Sequence, residues 1–292
     1  MSQPVQTDEL ASLEAGLDAL DTVQVARTSR VARLWSGAWP PLTFVALLIG
    51  VWQAVYSAEV LPPYRLPSPG MTLTALHDQW TAGDLQEAVW NSVSRGALGF
   101  AASLVIGTLL GLVVGRVKPV RRAVGPILSG LQSLPSVAWV PAAILWFGTN
   151  STTIYFVVLL GAVPSIANGM ISGLDQVPPL FVRVGWVLGA RRFTLARHVL
   201  LPAAMPGYVG GLRQGWAFSW RSLMAAELIA RTPDLGLGVG QLLDLSRQNA
   251  DIAGVIAGVF TILVIGIAIE LCLFAPIERN VLRRRGLLSS SM

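Results

Sequence analysis

No charged residue occurs between Arg122 and Asp175. One bilayer-crossing helix needs only about 20 apolar residues, so positions 123–174 must hold two such helices. The cluster Gly148-Thr149-Asn150-Ser151-Thr152-Thr153 supplies the turn between them, because Gly and Asn tolerate turn dihedrals and the hydroxyls can solvate freed backbone groups. The composition agrees: 53% of residues are hydrophobic and 13% charged, against about 25% charged in ordinary soluble domains, and the mean hydropathy is +0.60. The pattern predicts an all-α integral membrane protein with six spans, near 39–58, 95–115, 124–147, 154–174, 207–229 and 252–275.

The basic residues set the expected orientation, since cytoplasmic loops are enriched in Lys and Arg near the membrane. Arg27, Arg30 and Arg33 precede the first span, and Arg116, Lys118, Arg121 and Arg122 follow the second. Arg183, Arg191, Arg192 and Arg197 follow the fourth, and Arg279, Arg283, Arg284 and Arg285 the sixth. The opposite connections hold only Arg65, Arg231 and Arg247, with Arg95 at a span boundary. Both termini are therefore expected in the cytoplasm, with residues 1–36 and 283–292 as tails on a permease domain of residues 37–282. The net charge of +5 is scattered over separate loops rather than gathered in one stripe, which excludes a nucleic-acid partner. Cys272 is the only cysteine, so an intrachain disulfide or cysteine-based metal cluster is excluded, and His77 and His198 fall on opposite sides of the membrane. No metal site is expected.

The N-terminal tail lacks the basic start and apolar run of a secretory signal. Leu10, Leu13, Leu17 and Leu20 recur at helical spacing, giving an amphipathic helix that either stays a solvated tail or docks on a partner. Residues 61–70 hold four prolines and are expected to be extended, and residues 72–90 to form one amphipathic segment on the outer surface, its tryptophans at the interface. Trp35, Trp39, Trp52, Trp139 and Trp146 also fall near span ends. Small residues recur every fourth position at Gly107, Gly111 and Gly115; at Gly161, Ser165, Gly169 and Gly173; at Gly207, Gly211, Gly215 and Ser219; and at Gly254 and Gly258. Such smooth faces allow close helix packing in lipid, where helices have no hydrophobic reason to associate; the partner of each face, in the same chain or a second copy, is open at this level. Pro135 and Pro141 in the third span and Pro164 in the fourth should bend or interrupt their helices, which makes the third span a pore-lining candidate.

Within eight positions lie Arg191, Arg192, Arg197 and His198, between two apolar stretches. Charges at membrane depth cost several kcal/mol each, so this segment must face water. Gly189 allows a sharp turn and Pro202 ends helical hydrogen bonding, predicting a helix, a turn and a second short helix that project as a docking knob. In the fifth span, Arg213, Arg221 and Glu227 are intramembrane charges, which usually face a bundle interior or a water-filled path. Arg221 and Glu227 are six positions apart, about 600° of helical rotation, and so do not share a face. Arg221 is a candidate for drawing an anionic solute into a pathway and Glu227 for fixing helix packing or an outer gate; the alternative for both is structural bonding. The run Gly236-Leu237-Gly238-Val239-Gly240 has no preceding strand and reads as a flexible external loop. A phosphate-binding P-loop needs a Lys after its glycines, and Lys118, the only lysine, lacks that context.

From about residue 66 to 282 the sequence resembles the permeases of the sulfonate, taurine and nitrate importer group of the ATP-binding-cassette (ABC) superfamily. The resemblance rests on Leu66-Pro67-Ser68-Pro69, Asn91-Ser92-Val93-Ser94-Arg95, Gly99-Phe100, Leu134-Pro135, Trp146-Phe147-Gly148, Ala225-Ala226-Glu227, and Gly189 followed after nine residues by Val199-Leu200-Leu201-Pro202. The Glu-Ala-Ala that usually opens the last motif is Arg183-Val184-Gly185 here. The resemblance implies a six-helix type I importer permease in the bacterial inner membrane, working as a homodimer with an extracytoplasmic substrate-binding protein. It also implies two ABC ATPase subunits, which would carry ATP and Mg. Coupling to the ATPase would run through the segment 177–205, with Gly189, Ala190, Arg191, Arg192, Leu201 and Pro202 at its centre. Arg221, Glu227, Pro135 and Pro141 are the pathway or gate candidates. An aliphatic sulfonate is the first expectation for cargo; nitrate, taurine, bicarbonate and a pyrimidine precursor are alternatives. An ATP-independent channel, an ion-coupled transporter and a membrane-embedded enzyme are the rival classes.

Overall fold

In hydrocarbon every backbone N–H and C=O must be bonded internally, which leaves helices as the natural solution for a chain with these long apolar runs. The computed structural model describes residues 30–230 and 236–286, and all regular structure among them is helical. The expected N-terminal amphipathic helix and the last residues of the C-terminal tail lie outside the described residues. The chain divides into two units, residues 1–60 and residues 61–292. The first contributes α1 (Arg30–Ser57), of which Trp39–Ser57 is long and apolar enough to cross a bilayer.

The second unit begins with a hydrogen-bonded turn, Arg65 N–H donating to Pro62 C=O at 2.8 Å, where an extended chain was expected. Ser68 then caps α2 (Pro69–Ala82), its Oγ accepting from Met71 N–H at 3.1 Å. Gly83, at φ +91°, ends α2 and starts α3 (Asp84–Arg116), because only glycine adopts that left-handed backbone without strain. The expected amphipathic segment 72–90 is therefore two helices, and the second span begins well before residue 95. Asp84 and Glu87 in the first turn favour that start by meeting the positive end of the helix dipole.

After α4 (Lys118–Ser133) the chain breaks at Leu134-Pro135, passes through a 3-10 turn (Ser136–Trp139) and resumes as α5 (Val140–Phe147), bent by 96° from α4. Asn150 caps α6 (Ser151–Asp175), accepting from Thr152 and Thr153 N–H. The polar cluster at 148–153 thus forms the expected turn. Pro164 does not interrupt α6, which is continuous over 25 residues. There follow α7 (Pro179–Val187), one helical turn α8 (Arg192–Leu195), a π turn (Ala196–Leu200) and α9 (Leu201–Ile229). Pro202 lies in the first turn of α9, where its missing N–H breaks no bond. It opens the long helix instead of closing a short one, which corrects the sequence expectation. The remaining helices are α10 (Val239–Gln248), α11 (Ile252–Ile269) and α12 (Ala275–Arg283), the last two joined by a π turn (Glu270–Phe274).

Among the described residues, four helical stretches are long and apolar enough to cross a membrane: Trp39–Ser57, Asp84–Arg116, Ser151–Asp175 and Ile252–Arg283. The bent pair α4–α5 makes a fifth if counted as one span. At 29 residues α9 is long enough, about 43 Å, but it carries Arg213, Arg221 and Glu227.

The small-residue faces find their partners inside the same unit. A methyl on Gly107 or Gly111 of α3 would sit 2.8 Å from Ile166 or 2.7 Å from Met170 of α6, and one on Gly173 of α6 would sit 2.5 Å from the Ala204 carbonyl of α9. Gly169 and Gly211 meet backbone to backbone. Helix α6 is thus gripped between α3 and α9 through notches, the packing available when solvent provides no drive. Gly258 packs instead on Leu243 of α10. Aromatic contacts close the core, Phe100 standing edge-on to Trp216 with centroids 5.4 Å apart.

Candidate functional site

The break after α4 opens a cleft. Pro135 has no N–H and disfavours helix at the preceding residue; Leu134 accordingly takes extended dihedrals, φ −78° and ψ 128°. The cleft, of about 470 Å³, is walled by residues 131–137, by Gly161 of α6 and by Phe218, Arg221 and Ala225 of α9. Its polar groups are tethered. Gln132 Oε1 accepts from Asn168 Nδ2 at 2.8 Å, and the Ser136 and Ser222 hydroxyls share a bond of 2.6 Å.

Arg221 is exposed. Its Nε donates to the Ala217 carbonyl of its own helix at 3.1 Å, and its guanidinium lies 4.6 Å from the centre of the Phe218 ring. Among the described residues its outer nitrogens make no hydrogen bond. The same side of α9 exposes Gly210, Gln214 and Ala217, whereas Gly211, Gly215 and Ser219 are buried. One face of α9 is therefore packed on α6 and the other is open and partly polar. Farther along, Arg213 pairs with Glu270, at the start of the π turn, and with Glu278 of α12 at 3.0 Å. Glu270 is an intramembrane acid that the sequence reading passed over, although a lone Glu inside an apolar span was the visible signal.

Glu227 is in a different environment. It is wholly buried, and Arg95 of α3, with 7% of its side chain exposed, donates to Glu227 Oε1 at 2.9 Å. Ser92 Oγ donates to Oε2 at 2.7 Å, and Gly240 N–H to the same oxygen at 3.2 Å. Arg95 Nη2 donates to the Gly236 carbonyl at 3.0 Å. The glycine run is thus no loose loop: Gly238, Val239 and Gly240 are buried, and a methyl on Gly238 would lie 2.6 Å from the Glu227 carboxylate. The structure brings Arg221 and Pro135 to one cleft and leaves Glu227 and Pro141 out of it, Pro141 lying in the first turn of α5. Arg95 and Ser92 were missed as site residues because Arg95 was read as a span boundary.

The segment between α6 and α9 is a self-packed knob. Gly189 has φ +81°, its N–H bonds Trp186 C=O, and Ala190 N–H bonds Gly185 C=O at 2.9 Å. Gly185 is buried against Leu195, where a methyl would lie 2.5 Å from the leucine's tip, so a glycine where the resembling motif carries alanine fits this contact. Outside it, Leu180, Phe181, Val184, Trp186, Val187, Leu188 and Phe193 are exposed together with Arg183, Arg191, Arg197 and His198. Val187 is 87% and Leu188 80% exposed, too much apolar surface beside arginines for either lipid or water alone. Gly189, Ala190 and Arg191 form the turn of this knob, Arg192 starts α8, and Leu201 and Pro202 start α9.

A glycine-notched helical bundle with a broken membrane helix, an open polar face and a charged cleft defines a membrane permease. Residues 103–275, more than half of the chain, match the family model described as binding-protein-dependent transport system inner membrane component. The chain belongs to that family, the permease components of ABC importers, which are not themselves catalytic. It is similar to the taurine transport system permease protein TauC of Escherichia coli, 30% identical with 79% of this chain and 84% of the relative covered. It is 28% identical to the putative aliphatic sulfonates transport permease protein SsuC of Bacillus subtilis, covering 77% and 80%. It is equally identical, at 28%, to the riboflavin transport system permease protein RibX of Chloroflexus aurantiacus, covering 90% and 97%. Among solved structures, the fold is shared with a chain of the inward-facing MetNI methionine ABC transporter, at a TM-score of 0.52 and 20% identity, over 68% of this chain and 95% of that one.

Proposed function

We propose that this chain forms the translocation pathway of an ATP-driven importer for a small anionic solute, with an aliphatic sulfonate as first choice. One observation carries the reading: α9 continues directly from the knob at 177–205 and bears Arg221 in the cleft, so a single stiff helix links a docking surface to the pathway. In this account α9 is the fifth of six spans, with α11 the last. Two copies enclose the pathway, and the knob, with Gly189, Ala190, Arg191, Arg192, Leu201 and Pro202, faces the cytoplasm. There it seats on an ABC ATPase that carries ATP and Mg. The termini share that side. Segment 236–248 faces outward, toward a substrate-binding protein.

Chemically, the exposed guanidinium of Arg221 offers charge-assisted donors to an oxyanion, and Ser136 lines the same cleft. Pro135 holds the break open, while Pro141 only starts α5. ATP-driven closure of the ATPase would push the knob, and α9 would carry the displacement past Arg221.

Uptake of labelled ethanesulfonate into proteoliposomes holding the permease, its ATPase and the loaded delivery protein tests the reading. Gly189→Trp, which forces a bulky side chain into a left-handed backbone, should leave insertion intact and abolish ATP-dependent uptake. Normal uptake by that variant would defeat the coupling assignment. The relative named for riboflavin supplies the competing cargo: competition by riboflavin and none by taurine or nitrate would overturn the anionic choice while leaving the permease assignment.

A further inference from the structure

We propose that residues 236–240 form a latch that docks on the buried Arg95–Glu227 pair, and that its release carries engagement of the delivery protein on α10 into α9. The proposal rests on the reading above and adds its regulation.

Four backbone groups of this short segment bond side chains from α3 and α9. Gly240 N–H donates to Glu227, Val239 N–H to Ser92 Oγ at 2.9 Å, the Gly236 carbonyl accepts from Arg95, and the Leu237 carbonyl accepts from Asn91 Nδ2 at 2.9 Å. These bonds belong to one stretch of peptide and so form and break together. Lifting the segment removes a partner from each member of a buried ion pair at once, and an undersatisfied buried charge is costly. The element therefore has two discrete states rather than a continuum.

Two glycines permit the docked state. A methyl on Gly238 would collide with the Glu227 carboxylate, and one on Gly240 would lie 2.7 Å from Glu227 Cβ and 2.9 Å from the Met224 carbonyl. Gly238 is also the N-cap of α10, Leu242 N–H bonding its carbonyl at 2.8 Å, so undocking the segment moves the start of α10. At the other end α10 exposes Leu245, Arg247 and Gln248, followed by the exposed C-cap Asn249, the surface a partner would grip. Glu227 lies near the end of α9 opposite the knob. One helix thus carries the latch at one end, the knob at the other and Arg221 between them.

The test uses the reconstituted complex with three variants: Glu227→Gln, Ser92→Ala, and Gly238→Ala, which keeps both charges. Weakening the latch should raise ATP hydrolysis without the delivery protein about tenfold, the effect of about 1.4 kcal/mol on the docked state, and should flatten its stimulation by delivery protein loaded with ethanesulfonate. Assembled variants that keep the wild-type basal rate and stimulation, or lose both in proportion, would overturn the proposal and leave the pair purely structural. A second readout needs no ATPase: amide exchange at Val239 and Gly240 in the isolated full chain should be faster in Gly238→Ala than in wild type, and unchanged exchange would remove the latch. If the wild-type complex shows no ATPase coupling, the importer reading fails while the exchange result still decides the latch.

Discussion

Two acid–base groups on one helix, Arg221 and Glu227, live in opposite circumstances. Glu227 has a charge partner, a hydroxyl and a backbone amide around it and no exposed surface, whereas Arg221 rests on Phe218 with its outer nitrogens unbonded among the described residues. Intramembrane charge alone therefore does not mark a pathway. The discriminating property is saturation: a satisfied charge holds the bundle together, and an unsatisfied one at an open cleft is available to a solute.

The largest effect that tests this contrast is on stability. Glu227→Ala leaves Arg95 buried without its partner and should cost about 3–5 kcal/mol, read as lost folded protein in detergent melts; a melt within error of wild type would break the distinction. Arg221→Ala should leave the melt within about 0.5 kcal/mol. It should cut uptake of labelled ethanesulfonate roughly tenfold to a hundredfold, the loss of about 1.5–3 kcal/mol of charged hydrogen bonding. Next comes the packed side of α9: Gly169→Ala drives a methyl into the Gly211 backbone and should cost about 1–3 kcal/mol. Gly210→Ala, with open space around its Cα, should be neutral or slightly stabilising by the same melt. The smallest effect belongs to the exposed Arg121–Asp175 pair, whose side chains are 44% and 46% exposed. Arg121→Ala should change stability by about 0–1 kcal/mol and less in high salt.

The sequence showed where helices must lie but less of what they touch. The uncharged run 123–174, the turn at 148–153 and the break at Pro135 were legible because each follows from local backbone chemistry. Local rules also misled. Pro164 and Pro202 were read as breaks, yet α6 runs through the first, and the second occupies the one helical turn where proline loses no bond. The small-residue faces were visible as faces, but the meeting of Gly169 with Gly211 depends on tertiary packing. The same holds for Arg95 and Glu227, 132 positions apart. Arg95 was hidden further because Asp84 and Glu87 fell in residues 72–90, read as one amphipathic surface segment, when they are the favourable first turn of a helix that extends past the apolar run. Arg221 was identified as a pathway candidate from its position in an apolar span, and its place in the cleft follows from geometry no periodicity encodes.

The central claim is that one side of α9 faces a water-filled pathway while the other is locked against α6. Thiol mapping reads it directly: in a Cys272→Ser background, single variants Gln214→Cys, Ala217→Cys, Arg221→Cys, Ser219→Cys and Leu223→Cys are exposed to a membrane-impermeant, water-soluble thiol reagent in reconstituted membranes. Modification of the first three, slowed by ethanesulfonate at 217, where Arg221 is retained, with protection of the last two is the predicted result. An unreactive thiol at both 217 and 221, or equal reaction on both faces, would contradict the account.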